Sequence, residues 1–460
     1  MKKYVFSLFL SMWAISTYAQ TFNTGMNFDD DAYEKTEKKA ALMTRDYQIL
    51  PPKTSMRSFL PVILNQEGGT CVGWSSTYYG RTILDAKGQN WTDKATISNN
   101  AYAPYFTYTM IKDHQGCEEG TWIGAALQLM VDKGSAKKSD YDVVCASKVP
   151  DNVIQKATAN KIKSFAGLFS DKDNFEFKKN ALKKALANSN PIIIGMKCPN
   201  SFFGAKGFWQ PKEDPNANFG GHAMCVIGYD DAMYGGSFEI VNSWGSGWGN
   251  EGYIWIKYAD FFDFTKYAFE MIAMPTNKPA TQKDMAGEIV FKLSTGGNME
   301  ASYVSKTGSL GYYKVNQPYT SGTQFRIILS NNEPAFVYAF GSDLTNELFT
   351  IFPHKEGISA ALNYASNNVA LPDEKHFIRM NQTVGKDFMC VLYSKEKLDI
   401  EDIKQKVAEE SGTFAQKIQK VLVSDLVLPA NIQYEPKQMK FAAKSQGKGI
   451  TALVVEIVHE

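Results

Sequence analysis

The chain has 460 residues, 44% hydrophobic content and 49 basic against 48 acidic residues, for a net charge of +1. That much apolar material can bury a large core and, at this length, divides into two or three domains. A near-zero net charge excludes a global field that would draw in nucleic acid or acidic substrates, so no nucleic-acid partner is expected.

The first element is Lys2-Lys3, an apolar run from Tyr4 to Ile15, and Ser16-Thr17-Tyr18-Ala19. Residues 1–19 therefore read as a secretory signal peptide, cut after Ala19. The run is shorter than the roughly 20 apolar residues that span a bilayer. No other segment is long and apolar enough, so no integral membrane segment is expected. A secreted or periplasmic protein follows from this, with cell-surface association also open. Residues 20–48 are polar and charged, with Asp29-Asp30-Asp31 and Glu34 to Lys39. They form an N-terminal extension or short pro-segment, partly helical, that either occupies a cleft or packs on the surface.

Leu50-Pro51-Pro52 begins the folded body of a first domain, 49–275. A helix is predicted from Cys71 through Thr77 to Ala86. A second follows from Trp122 to Lys133, with Gly134 as its C-cap, and a third from Phe175 to Asn188. Pro191 to Lys197 reads as a buried strand, and strands recur at 222–229, 237–242 and 252–257. Helices thus dominate the first half of this domain and strands the second.

Pro275 to Asp284 has linker composition, and 276–287 is taken as the connector. The remainder, 288–460, has its own strand signals at Glu288–Leu293, Gln324–Leu329, Ala335–Phe340, Leu348–Phe352 and Phe388–Tyr393. One charged helix is predicted from Ile400 to Val421, and a last strand from Thr451 to Val458. Tyr312, Tyr313, Phe336 and Phe340 fit either a binding face or a core, and alternation along the strands favours core. His354 and His376 lack neighbours at metal-ligand spacing; no metal site and no cofactor are expected.

Six cysteines are too few for a disulfide scaffold, although an oxidising compartment permits individual bridges. Cys198 and Cys225 lie in apolar strand-like runs and read as buried core thiols. Cys71 differs. It follows Gly68-Gly69-Thr70 and opens a helix, where exposed backbone N–H groups and a neighbouring imidazole lower a thiol pKa. His222 opens a strand-like run, and Asn242 leads into Ser243-Trp244-Gly245. A thiol, an imidazole and an orienting amide are the parts of a cysteine-nucleophile acyl-transfer site. His222 would accept the thiol proton and protonate the leaving amine. Trp244 would cover the His–Asn hydrogen bond, and Gln66 would donate to the oxyanion together with the Cys71 N–H.

Three segments carry a resemblance to papain-like cysteine peptidases. Asn65-Gln66 with Gly69-Thr70-Cys71 is similar to the family's nucleophile segment, and Gly221-His222-Ala223 with Val226 to Tyr229 to its histidine strand. Asn242-Ser243-Trp244-Gly245 to Gly252-Tyr253 is similar to its asparagine segment. The order, and a Cys-to-His separation of about 150 residues, agree with the family pattern. Gly116-Cys117-Glu118-Glu119-Gly120 resembles the wall of the substrate cleft, which implies that Gly120 and Thr121, with Trp244, contact substrate. The resemblance covers about 50–274. It implies an α+β, papain-like two-subdomain fold, helical on one side and β-barrel-like on the other. A separate, mostly β C-terminal domain would follow, like the domains of unknown function often appended to secreted bacterial enzymes.

The sequence departs from the family at Val72, where Trp is usual, and at Gly68, where a cysteine often stands. It departs also at Gln66, one residue closer to the nucleophile than is common, and at Glu119 and Gly221. Residues 20–48 are shorter than the family's large inhibitory pro-domain. With Gly68 in place of the usual cysteine, Cys145 is the nearest candidate partner for Cys117, and a bridge there would contribute about 3 kcal/mol by loop entropy. The resemblance implies a secreted thiol peptidase acting on peptide or protein substrates through a Cys71 acyl-enzyme. Two alternatives stay open: an amide-bond transferase, and a non-catalytic peptide- or surface-binding protein on the same scaffold. The sequence leaves the oligomeric state unknown.

Overall fold

A computed structural model describes residues 22–42, 50–273, 282–306, 309–342 and 347–460. The 1–19 segment lies outside the described residues, as do 43–49 and residues 276–281 of the connector.

The first domain splits as its residue pattern predicts. Its helical side is built around one long helical run, Cys71–Gly73, Trp74–Arg81 and Thr82–Gly88, the middle part of which is wound as a π-helix. Pro104–Ile111 and Ile123–Asp132 pack beside it. The β side is one eight-stranded sheet. Its order is Ser164–Gly167, Thr265–Ile272, Ile192–Lys197, Gly221–Asp230, Ser237–Val241, Tyr253–Lys257 and Gly207–Trp209, with Lys53–Ser55 added to Gly221–Asp230. The central strands are buried on both faces, so they read as continuous apolar runs such as Ile192-Ile193-Ile194 rather than as alternation. One core joins the two sides, and Cys71, Trp74, Ala223 and Trp244 all lie in it.

The C-terminal domain is a β-sandwich. Ala301–Lys306, Ser309–Val315, Ile450–His459, Gly385–Ser394, Ala335–Ser342 and Leu348–Phe352 run in that order in one sheet. Asn367–Leu371, Gln324–Asn331, Met285–Leu293, Lys440–Ala443 and Ile432–Tyr434 form the other. Tyr313, Val337, Val391 and Leu453 of the first sheet meet Ile289, Phe291, Leu329 and Phe441 of the second. The outer face of the first sheet, with Phe336, Phe340 and Leu392, is covered by helices Ile400–Glu409 and Phe414–Val421. Tyr313, Phe336 and Phe340 are therefore core, and Tyr312 is half-buried.

Two expectations are corrected. The single helix over Ile400 to Val421 is two. Gly412, at φ 120°, breaks the run, and a Thr413–Gln416 capping box starts a new helix. The C-terminal domain also begins earlier than residue 288, because the strand Met285–Leu293 starts inside the predicted connector. Among the described residues no helix is long and apolar enough to cross a membrane.

Candidate active site

Cys71 sits at the first turn of the long helical run, and its entry geometry explains one sequence departure. Gly68 has φ +62°, and a Cβ there would come within 2.0 Å of the Cys117 carbonyl. A side chain at 68 would clash with the very segment that a cysteine would bridge to. Cys117 is instead joined to Cys145 by a disulfide, with Cα atoms 5.2 Å apart.

Cys71, His222 and Asn242 are brought together. The Cys71 sulfur accepts the Ala223 N–H at 3.4 Å, placing the thiol beside the residue that follows His222. His222 Nε2 lies 2.8 Å from Asn242 Oδ1. The same Oδ1 accepts the Ser243 backbone N–H at 2.7 Å. A backbone N–H can only donate, so it fixes which end of the Asn242 amide is oxygen. That in turn makes His222 Nε2 the protonated nitrogen. Nδ1 is left with its lone pair and no hydrogen-bond partner, which is the state a proton acceptor needs. Trp244 stacks on the imidazole, with centroids 4.5 Å apart at 21°, and Phe203 also stacks on the indole.

Gln66 is close by but already engaged. Its Oε1 accepts from Ser243 Oγ at 2.6 Å, and its Nε2 donates to Gly68 O at 2.9 Å and Asn23 O at 3.1 Å. Ser243 therefore orients both Gln66 and Asn242. Sequence reading passed over it, although it lies inside the Asn-Ser-Trp segment.

Asn23 belongs to the N-terminal extension, and it shows what fills the cleft. Phe22 stacks on Trp244 at 5.0 Å, and Trp244 Nε1 donates to Asn23 O at 2.8 Å. The Met26 N–H donates to Gly221 O at 3.0 Å. On the opposite wall Asn27 N–H donates to Thr121 O at 2.8 Å, and Thr121 N–H to Gly25 O at 3.0 Å. Gly120 O accepts the Asn27 side chain at 3.0 Å. A Cβ on Gly120 would come within 2.6 Å of Gly25, so only glycine lets the extension approach. Of the two placements open for 20–48, residues 22–27 take the cleft, and the rest of the described part packs outside it.

Burial under this segment sets the electrostatics. Desolvation pushes the Cys71 thiol up to about 12, against the opposing pull of backbone N–H groups from Ala223, Val72, Cys71 and Gly25. Desolvation lowers His222 to about 4, opposed by the Asn242 bond. Both groups are neutral at pH 7 in this state, so the pair is held as thiol and imidazole rather than as an ion pair. Cys198, Cys225 and Cys390 are buried free thiols. Among the described residues no group of three or more His, Cys, Asp or Glu side chains gathers into a metal-binding cluster.

The fold is papain-like, mixed helix and sheet with further β-rich sheets after it. Residues 90–270 match the family model described as papain family cysteine protease. The match takes in His222 and Asn242 and begins after Cys71 and Gln66. The chain is 26% identical over 147 residues to an uncharacterized peptidase C1-like protein of Acanthamoeba polyphaga mimivirus, covering 31% of this chain and 42% of that one. It is 28% identical over 149 residues to zingipain-2 of Zingiber officinale, covering 31% and 60%. It thus spans about four tenths to six tenths of the length of these curated relatives. Among solved structures, xylellain, a cysteine protease from Xylella fastidiosa, aligns with a TM-score of 0.45 at 18% identity, covering 55% of this chain and 96% of that one.

Proposed function

We propose that this chain is a thiol peptidase, held latent by its own N-terminal extension, that hydrolyses peptide bonds through a Cys71 acyl-enzyme. The observation that carries the reading is the oriented imidazole. Asn242, itself pinned by the Ser243 N–H, leaves His222 Nδ1 unprotonated and unpartnered, on the strand residue next to the Ala223 N–H that the Cys71 sulfur accepts.

Once the extension leaves, water reaches the pair and the desolvation that keeps it neutral falls. Nδ1 takes the Cys71 proton, and the thiolate attacks the substrate carbonyl carbon. The oxyanion meets the Cys71 N–H and the Gln66 Nε2 hydrogen released by Asn23. His222 gives its proton to the leaving amine. Water, deprotonated by His222, then attacks the thioester and releases the acid and the free thiol. Trp244 shields the His–Asn bond from solvent throughout. Thr121 and Gly120 offer substrate the main-chain positions that the extension now uses.

Export through a cleaved 1–19 segment, and hence a secreted or periplasmic site of action, is part of the same proposal. The N-terminal residue of the mature protein from the producing cell tests it; a start at Met1 would oppose export. For the activity, a chain trimmed to Leu50 is expected to hydrolyse a fluorogenic peptide, with Cys71→Ala inactive. Full turnover in Cys71→Ala would remove the mechanism. The full burial of Cys71 and His222 favours one second reading, a permanently closed peptide-binding scaffold. In that case the trimmed chain would fail to react with an epoxide-type thiol-protease inhibitor. Acceptor-dependent product in place of hydrolysis would instead mark an amide-bond transferase.

A further inference from the structure

Beyond the cleft the extension does not run free. Asp29 caps a helix, Asp30–Lys35, whose Tyr33 is buried against Tyr267, with ring centroids 4.6 Å apart. The Tyr33 hydroxyl donates to Phe169 O at 2.8 Å. The chain then enters a narrow space between the two domains as the middle strand of a three-piece ladder. On the peptidase side, Gly167 N–H donates to Glu37 O at 2.8 Å and Lys39 N–H to Gly167 O at 2.9 Å. On the C-terminal side, Lys38 N–H donates to Gly357 O at 2.7 Å and Ser359 N–H to Lys38 O at 2.8 Å. Both hydrogen-bonding edges of the segment are used, one by each domain.

The side chains repeat this three-way arrangement. Glu270, fully buried on the peptidase strand Thr265–Ile272, accepts from Asn190 at 2.7 Å. It also accepts from Asn363 Nδ2 at 2.8 Å and the Tyr364 hydroxyl at 2.5 Å, both from the C-terminal domain. Lys39 of the extension stands 3.8 Å from the same carboxylate and bonds Asn363. Ala40 enters the core of the C-terminal sandwich, and Glu37 pairs with Lys397 at 2.7 Å. A buried carboxylate is tolerable only while its donors are present, so the three bodies hold one another. A tethered segment gripped at its far end also stays at high effective concentration over the cleft.

We propose that the C-terminal domain is the clamp that keeps the extension in the cleft. Its Gly357-to-Tyr364 segment is the docking surface, and residues 37–40 of the same chain are the occupant. The proposal rests on the thiol-peptidase reading for its consequence, loss of latency, but not for the contact itself.

The test uses the full-length protein with Lys39→Met and, separately, Asn363→Ala. Asn363→Ala removes hydrogen bonds while keeping the Lys39–Glu270 pair, and it carries the test if Lys39→Met does not fold. Two readouts are taken: the alkylation rate of Cys71 by iodoacetamide, mapped on its own peptide, and hydrolysis of a fluorogenic peptide. Loss of a buried, charge-assisted contact is expected to raise both about tenfold over the wild type. After trimming to Leu50, Asn363→Ala and wild type should be equal in both. Variants as slow as wild type before trimming, with trimming alone releasing activity, would overturn the clamp and leave the peptidase standing. Faster alkylation without any hydrolysis, even after trimming, would support the clamp and refute the peptidase.

Discussion

Two buried polar networks, one in each domain, differ in how completely they are closed. In the C-terminal sandwich, Asn331 is fully buried and its Nδ2 reaches the carbonyls of Leu362 at 2.8 Å, Tyr364 at 2.7 Å and Glu333 at 2.9 Å, while its Oδ1 accepts from Asn367. That network is closed and ties one loop to a strand end. In the first domain, His222 Nδ1 and Asn242 Nδ2 are buried without a partner, and Gln66 Nε2 gives a hydrogen to Asn23 O of the extension. Closed networks build architecture, whereas an open one costs stability and is kept where chemistry needs a free valence.

The largest effect expected from this contrast is at Cys71. In the trimmed chain Cys71→Ala should lower kcat by about 10⁴-fold or more, as nucleophile removal does elsewhere, with little change in melting temperature. Gln66→Ala follows at about 10²- to 10³-fold in kcat, the usual loss for one oxyanion donor. A Gln66→Ala chain with unchanged kcat would mean that the shortened spacing to Cys71 has moved the oxyanion role elsewhere.

How far the site was legible follows from how local its signals are. Cys71, His222 and Asn242 each lie in a short segment with a distinct residue pattern, and order and spacing suggest a grouping that the structure places at His222–Asn242 and Cys71–Ala223. The Gly68 departure also became intelligible, since the Cys117 carbonyl presses where a side chain would stand. The cleft occupant was harder to read. Phe22, Met26 and Tyr33 are irregularly spaced in a polar stretch, and their partners lie far along the chain, as with Tyr33 and Phe169. Composition described the stretch as charged, but a few apolar anchors decided where it packs. The break between Glu409 and Phe414 did have a local signal, Ser411-Gly412-Thr413 with Gln416, that helical periodicity overrode.

The open network also predicts a pH dependence that the closed one lacks. His222 is neutral in the occluded state and holds its proton only below about 4, against 6.5 when solvated. A depressed histidine favours the occluded state fully above pH 6.5, and that contribution is lost as pH falls through about 4. The total is about 3 kcal/mol. Cys71 acts at the other limit, weakening occlusion as pH rises from 9.0 toward about 12. Hydrogen exchange at the 25–27 amides, corrected for intrinsic rates, should therefore lose up to about 10²-fold protection between pH 7 and pH 4. His222→Gln should flatten that window. A window that persisted in His222→Gln would assign acid opening to the exposed Asp30–Lys266 pair instead.

The smallest effect tests the comparison from its other side. Asn331→Ala should destabilise the protein by about 1–3 kcal/mol, because it takes a buried donor from the carbonyls of Leu362 and Tyr364, the second of which keeps Asn367 Nδ2. The kcat of the trimmed chain should stay unchanged, since Asn331 touches none of the groups around Cys71. Tyr364 also bonds Glu270, so a loosened Tyr364 reaches the clamp. The full-length protein should therefore show a modest rise in Cys71 alkylation, smaller than that of Asn363→Ala, which strikes the carboxylate directly. If Asn331→Ala lowered the trimmed chain's kcat, the division between an architectural network and a chemical one would fail. A rise in alkylation alone would show instead that the closed network supports the clamp while taking no part in the chemistry.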